Sequence, residues 1–306
     1  MSILNQRTVN KKISFSGVGL HTGKNVNLDL LPSPPNTGII FKRIDIEKNN
    51  IVIPSFENVI DTTLCTTLSN ENGIKISTVE HLMGALYGLG IDNLVVELNA
   101  QELPILDGSA KLFVEKILAN GIKTSSTPIK LIKINNKVSY QEGSKSISLD
   151  RSKVASEIDF EIKYTNKVIG TQRNKVNIFN DDLKNIFESR TFCLYEDVEK
   201  LKKNGLAQGG SLDNAIVVGE KGILNKNGLR NSMEFVNHKI LDCMGDLYLS
   251  GYRIVGSLTT SEGGHKLTNK IIRKLFSDKS NFTVIEIKEK TLPYQILNRS
   301  YLKSIA

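Results

Sequence analysis

Residues 77–98 read STVEHLMGALYGLGIDNLVVEL, and the hydrophobic period changes part-way along them. Val79, Leu82, Met83, Leu86 and Leu89 recur at helical spacing behind Ser77, a good N-cap, until Gly88 and Gly90 interrupt the pattern. Residues 94–98 then form a short apolar run of strand length. A helix running directly into a buried strand predicts a mixed α and β chain.

The same mixture extends outward. Upstream, Val26, Leu28 and Leu30 alternate at period two and residues 39–41 form an apolar run, both strand signals. Downstream, Ser109 opens a helix carrying Leu112, Phe113, Ile117 and Leu118 that stops at Gly121. Residues 123–128 are short, polar and turn-prone, which marks a boundary between a unit at 1–125 and another at 126–306. Strands are expected at 131–140, 158–164 and 215–218, and helices near 181–188, 196–203, 232–249 and after His265. The strings IDNLVV at 91–96 and LDNAIV at 212–217 occur once per half and hint at duplicated α+β units. Two such domains with a ligand site between them are the expected architecture.

A chain of 306 residues, 40% hydrophobic and 24% charged, can bury a substantial core. Its first twelve residues lack the apolar centre of a signal peptide and no later run is long enough to span a bilayer, so a cytoplasmic protein without an integral membrane segment is expected. Three cysteines at wide spacing, with no C-x-x-C pair, argue against a disulfide framework and against a thiolate zinc site. Any metal here needs histidine and carboxylate ligands. The net charge of +8 suits an anionic partner such as a nucleotide, a phosphorylated sugar, nucleic acid or an acidic membrane, and equally suits a solvated lysine-rich surface. The absence of Trp weighs against single-strand nucleic acid, which needs stacking platforms.

Three of the four histidines stand beside carboxylates or glycines. His238, Asp242 and Asp246 fall at i, i+4 and i+8 of the long helix and share a polar stripe, while Val236, Ile240, Met244 and Leu247 supply an apolar one. Gly245 interrupts the polar stripe at a cost of about 1 kcal/mol relative to Ala, which suits the close approach of a backbone, a metal or a substrate. His238 and Asp242 can share a metal with His81 as the third ligand, leaving one open position. Standing alone, the His238 and Asp242 pair would read as an intrahelical hydrogen bond. Glu80 fits either an S-x-x-E capping box with Ser77 or a general base beside a ligand histidine. His265, behind two glycines, heads a helix whose N-terminus disfavours the imidazolium, whereas Asp246 would favour it. Two histidines and an aspartate also compose the facial triad of non-haem iron oxygenases, although such an oxygenase would not require Glu80. A basic nucleotide- or RNA-binding module with structural histidines is the non-catalytic alternative.

The strings GVGLHTG at 17–23, STVEHL at 77–82, GIDN at 90–93, PILDGS at 104–109, SRTF at 189–192, GGS at 209–211, HKxxDxxGD at 238–246 and GH at 264–265 run in order through the chain. Together they resemble the UDP-3-O-acyl-N-acetylglucosamine deacetylase family of lipid A biosynthesis. The resemblance implies two similar α+β sandwich domains with helical layers facing each other and the active site at their interface. It implies one catalytic zinc ion, with ferrous iron as the alternative in the cell, at His81, His238 and Asp242. Glu80 would be the general base, His265 the general acid and Asp246 its orienting partner, with Thr191 on the developing oxyanion. Lys239 would meet the diphosphate, and Phe192, Leu64 and Gly210 would contact the substrate. The implied substrate is a UDP-linked acylated amino sugar, and the implied protein is a monomer that binds no nucleic acid. The chain departs from the family pattern at Cys193, Thr63 and Glu262-Gly263, which bear on acyl-chain fit and on His265. Cys65 is either a ligand for surplus zinc or a buried structural thiol.

Overall fold

In the computed structural model, residues 5–153 and 155–286 are described. The period-two pattern of the first half is realised in a five-stranded sheet ordered Ile13–Val18, Asn25–Pro32, Leu94–Leu98, Ile39–Arg43 and Ile51–Val52. Ile13 pairs with Leu30 and Leu30 with Val96, so the alternating apolar residues fall on one buried face. Helices α1 (Glu80–Leu89) and α2 (Lys111–Asn120) supply its apolar cover, with the Phe113 ring centroid 5.0 Å from that of Phe15.

In the second half the long strand Arg253–Ser261 organises a seven-stranded sheet. It runs parallel to Lys130–Ile134 and to Ser156–Lys163, and antiparallel to Lys145–Asp150. Helices α3 (Lys184–Phe187) and α4 (Tyr195–Lys203) are short; α5 (Glu234–Tyr248) and α6 (His265–Phe276) pack against each other and the sheet. The chain is an α+β fold.

Helix α5 is the structural centre: every one of its residues except Lys239 is buried. Its polar stripe therefore faces protein, not solvent. The backbone approach that Gly245 permits is that of α1, since a Cβ at Gly245 would run into the Glu80 carbonyl. Gly84 of α1 reciprocates, where a Cβ would lie 2.8 Å from the Leu241 carbonyl oxygen. Two glycines thus let the helices that carry His81 and His238 meet backbone to backbone.

Several sequence expectations give way to tertiary pairing. Ser77 does not cap α1: it closes the strand Lys75–Ser77, which pairs with Thr67–Ser69, and its hydroxyl donates to the Gln101 carbonyl. Sheet pairing holds Ser77 extended, the chain turns at Thr78 with φ of +58°, and the helix starts two residues late without a side-chain cap. Residues 123–128 are not a turn but part of the strand Ile122–Pro128, antiparallel to Asn5–Val9. The expected strand at 131–140 is two, Lys130–Ile134 and Val138–Glu142, broken where the Asn135 and Asn136 amides donate to the Asn281 carbonyl. The two similar strings do different work: Leu94–Leu98 is the middle strand of the five-stranded sheet, whereas Ile216–Val218 pairs with Phe192–Leu194.

Candidate active site

The α1–α5 contact assembles three of the expected residues. His81 from the first turn of α1 meets His238 and Asp242 from α5, and one ligand atom of each lies within 4.8 Å of the others. Asp242 Oδ1 is 3.5 Å from His81 Nε2 and 3.4 Å from His238 Nε2. The imidazole rings are edge-on, at 82° and 4.9 Å between centroids. His238 presents Nε2 because its Nδ1 is engaged with the Ser189 carbonyl at 3.1 Å, a partner that fixes the tautomer of a ligand histidine. Lys239 Nζ donates to Asp242 Oδ2 at 2.9 Å, yet Oδ1 is buried with no hydrogen-bond partner.

An orphaned carboxylate oxygen between two imidazole nitrogens is costly unless something else satisfies it. Tetrahedral coordination at about 2.0–2.2 Å separates neighbouring ligand atoms by about 3.3–3.6 Å, the spacing between Asp242 Oδ1 and each of the two histidine nitrogens. Protonation states agree. Burial pushes the His238 imidazole down to about 3, leaving it neutral, and although burial alone would raise Asp242, neighbouring positive charge, including the Lys239 ammonium bonded to it, holds it well below the usual carboxylate range. The three residues fit a divalent cation.

Beside this triad stand Glu80 and His265, with Glu80 Oε1 3.9 Å from His265 Nε2. The capping-box expectation for Glu80 fails, because its Oε2 accepts the Thr66 amide at 3.1 Å and Ser77 is engaged elsewhere. Burial raises the Glu80 carboxyl, with Asp242 and Asp246 adding to the effect and His265 and His81 opposing it. His265 is the first residue of α6, and its Nδ1 lies 2.8 Å from Asp246 Oδ2. Burial works against its imidazolium, but the charge and hydrogen bond of Asp246, with Glu80 and Asp242 behind them, raise it to about 9. The carboxylates thus prevail over burial at this ring. A buried carboxylate 3.9 Å from a protonated imidazole is equipped for proton transfer in both directions.

A sequence model of the family described as UDP-3-O-acyl N-acetylglycosamine deacetylase matches residues 6–277. The chain belongs to this family. It is similar to the UDP-3-O-acyl-N-acetylglucosamine deacetylase of Psychrobacter sp., 44% identical over 287 residues that cover 93% of this chain and 96% of the relative. It is likewise similar to the enzyme of that name from Shewanella oneidensis, 42% identical over 288 residues, 93% of this chain and 94% of the relative. Family membership places the chain among deacetylases and not among oxygenases.

In this deacetylase the remaining expected residues line two cavities that meet at Leu64, Thr191 and Phe192. One, of about 320 Å³, is largely apolar and includes Gly210, Val198 and Leu201. The other, of about 340 Å³, is more polar, contains His265 and Lys239, and is bordered by Lys145 and Glu262. Leu64 sits at φ of +64°, a strained position for a γ-branched residue, at the junction. The Phe192 ring lies 6.3 Å from that of His238 and 5.6 Å from Lys239 Nζ. Lys239, expected on the substrate, also binds Asp242, which together with other nearby anionic groups holds it as the ammonium against burial. Cys65 lies outside the His81, His238 and Asp242 group, and burial and Glu80 push its thiol up to about 12, as befits a structural thiol. Among the described residues, no helix is long and apolar enough to cross a membrane.

Two contributors were invisible in the sequence. The Ser189 carbonyl aims His238, and Thr66 touches both Glu80 and Asp246. A backbone carbonyl carries no residue-type signal, and Thr66 lies 180 positions from Asp246.

Proposed function

We propose that this deacetylase hydrolyses the N-acetyl group of a UDP-3-O-(3-hydroxyacyl)-N-acetylglucosamine, releasing acetate and the free amine in lipid A biosynthesis. The observation that carries the reading is the orphaned Asp242 Oδ1 between two imidazole nitrogens, flanked by the Glu80 and His265 pair. Zinc is the ion proposed at His81, His238 and Asp242, with ferrous iron as the alternative in the cell. When bound, such an ion polarises an amide carbonyl and lowers the pKa of water toward about 7.

Glu80 takes a proton from the attacking water, a role suited to a carboxylate whose proton affinity is raised by burial. The Thr191 side chain, where the two cavities meet, donates to the carbonyl oxygen as negative charge develops. His265, kept protonated and aimed by Asp246, donates to the amine nitrogen, without which the amine is a poor leaving group. Lys239 offers positive charge to the diphosphate end, while Phe192, Leu64 and Gly210 border the space for the acyl chain. The proposal includes two α+β units divided near residues 125 and 126, a monomeric protein, no nucleic-acid partner and a cytoplasmic location.

Acetate release from that substrate, measured on metal-stripped protein and again after one equivalent of zinc, tests the reading. Release restored by zinc is expected; folded protein inert in both states, across several acyl lengths, would remove it.

A further inference from the structure

Thr66 lies between Cys65 and the strand Thr67–Ser69 and is 1% exposed. Its backbone amide donates to Glu80 Oε2 at 3.1 Å, and its hydroxyl lies 2.7 Å from Asp246 Oδ1. An ionised carboxylate only accepts, so the hydroxyl is the donor, in a short charge-assisted bond. The second oxygen of Asp246 holds His265 Nδ1 at 2.8 Å. Hydrogen bonds from the amide and the hydroxyl of Thr66 therefore link Glu80 to Asp246 and, through Asp246, to His265.

We propose that Thr66 is a positioning residue that sets the base Glu80 and the acid His265 relative to each other. It rests on the roles given to those two residues under the proposed function. Its amide occupies Oε2 of Glu80 and leaves Oε1 turned toward His265. Its hydroxyl occupies the oxygen of Asp246 that His265 does not use, so the carboxylate has one rotamer and the imidazole one orientation. The two contacts come from one rigid residue: the backbone is tied to the strand, and a β-branched side chain has few rotamers to choose from. Serine keeps the hydroxyl, whereas valine keeps the shape and the amide but strands Asp246 Oδ1 without a partner.

Thr66→Val should lower kcat by about 10- to 100-fold, the usual effect of losing a group that orients reacting residues, with KM within about twofold and zinc content unchanged. Thr66→Ser should recover most of that loss. The low-field Nδ1 proton of His265, read by NMR, should weaken or shift in Thr66→Val and persist in Thr66→Ser. Folded Thr66→Val with unchanged kcat, loss of zinc from that variant, or Thr66→Ser as impaired as Thr66→Val would each overturn the proposal. Should Thr66→Val not fold, the smaller Thr66→Ala takes its place, and in the unmodified protein the buried Thr66 hydroxyl proton should exchange slowly; rapid exchange overturns the idea. The NMR readouts require no turnover. An inert parent enzyme with the His265 signal behaving as expected would therefore sink the deacetylation reading while sparing the hydrogen-bond chain.

Discussion

Asp246 Oδ2 lies 2.8 Å from His265 Nδ1, joining the last turn of one helix to the first residue of the next. Burial disfavours the charged ring, and the contact with Asp246, with Glu80 and Asp242 behind it, outweighs that burial. Protonation of His265 is therefore retained at neutral pH.

Because the folded value, about 9, is above the ordinary 6.5, His265 is a competent donor until pH approaches 9. The rate should fall on the alkaline side near that pH, and Asp246→Asn should move the fall to lower pH. The sign for stability follows: the His265 contribution is complete below about 6.5 and is lost as pH rises through about 9. Profiles of kcat against pH, with thermal melts of metal-free protein over the same range, check both.

Glu80→Gln keeps an oxygen for the Thr66 amide but removes the proton acceptor. A fall in kcat of about 10²- to 10⁴-fold is expected, with zinc still bound and the melting temperature little changed. Near-normal turnover in this variant would take Glu80 out of the mechanism.

Removal of the ion should destabilise the fold, since its ligands come from two helices and two distant parts of the chain. A ligand present at a thousandfold over its Kd stabilises by about 4 kcal/mol. Chelation should lower the melting temperature of the unmodified protein and leave that of His238→Ala or Asp242→Ala almost unmoved. Equal effects of chelator on all three would locate the ion elsewhere.

Gly245→Ala tests the helix crossing. The added methyl meets the Glu80 carbonyl, a backbone atom that cannot swing aside. A loss of about 1–3 kcal/mol in urea unfolding is expected from overpacking, with a disproportionate drop in activity because Glu80 is the residue displaced. An unaffected variant would mean that the helices stand farther apart.

Much was legible in the sequence because the relations concerned are local. Period-two alternation at Val26, Leu28 and Leu30 fixes a strand face, and the i, i+4, i+8 spacing of His238, Asp242 and Asp246 follows from 3.6 residues per turn whatever surrounds the helix. The ordered motifs named the family. Tertiary structure alone decided whether Glu80 would cap a helix or face His265, since the answer turned on Ser77 being claimed by a strand partner. It also turned residues 123–128 into a strand through pairing with Asn5–Val9, and brought Thr66 to Asp246 across 180 positions. Spacing along a chain encodes which side chains share a face; which faces meet is set by the burial of complementary surfaces, here two helices brought together at Gly84 and Gly245.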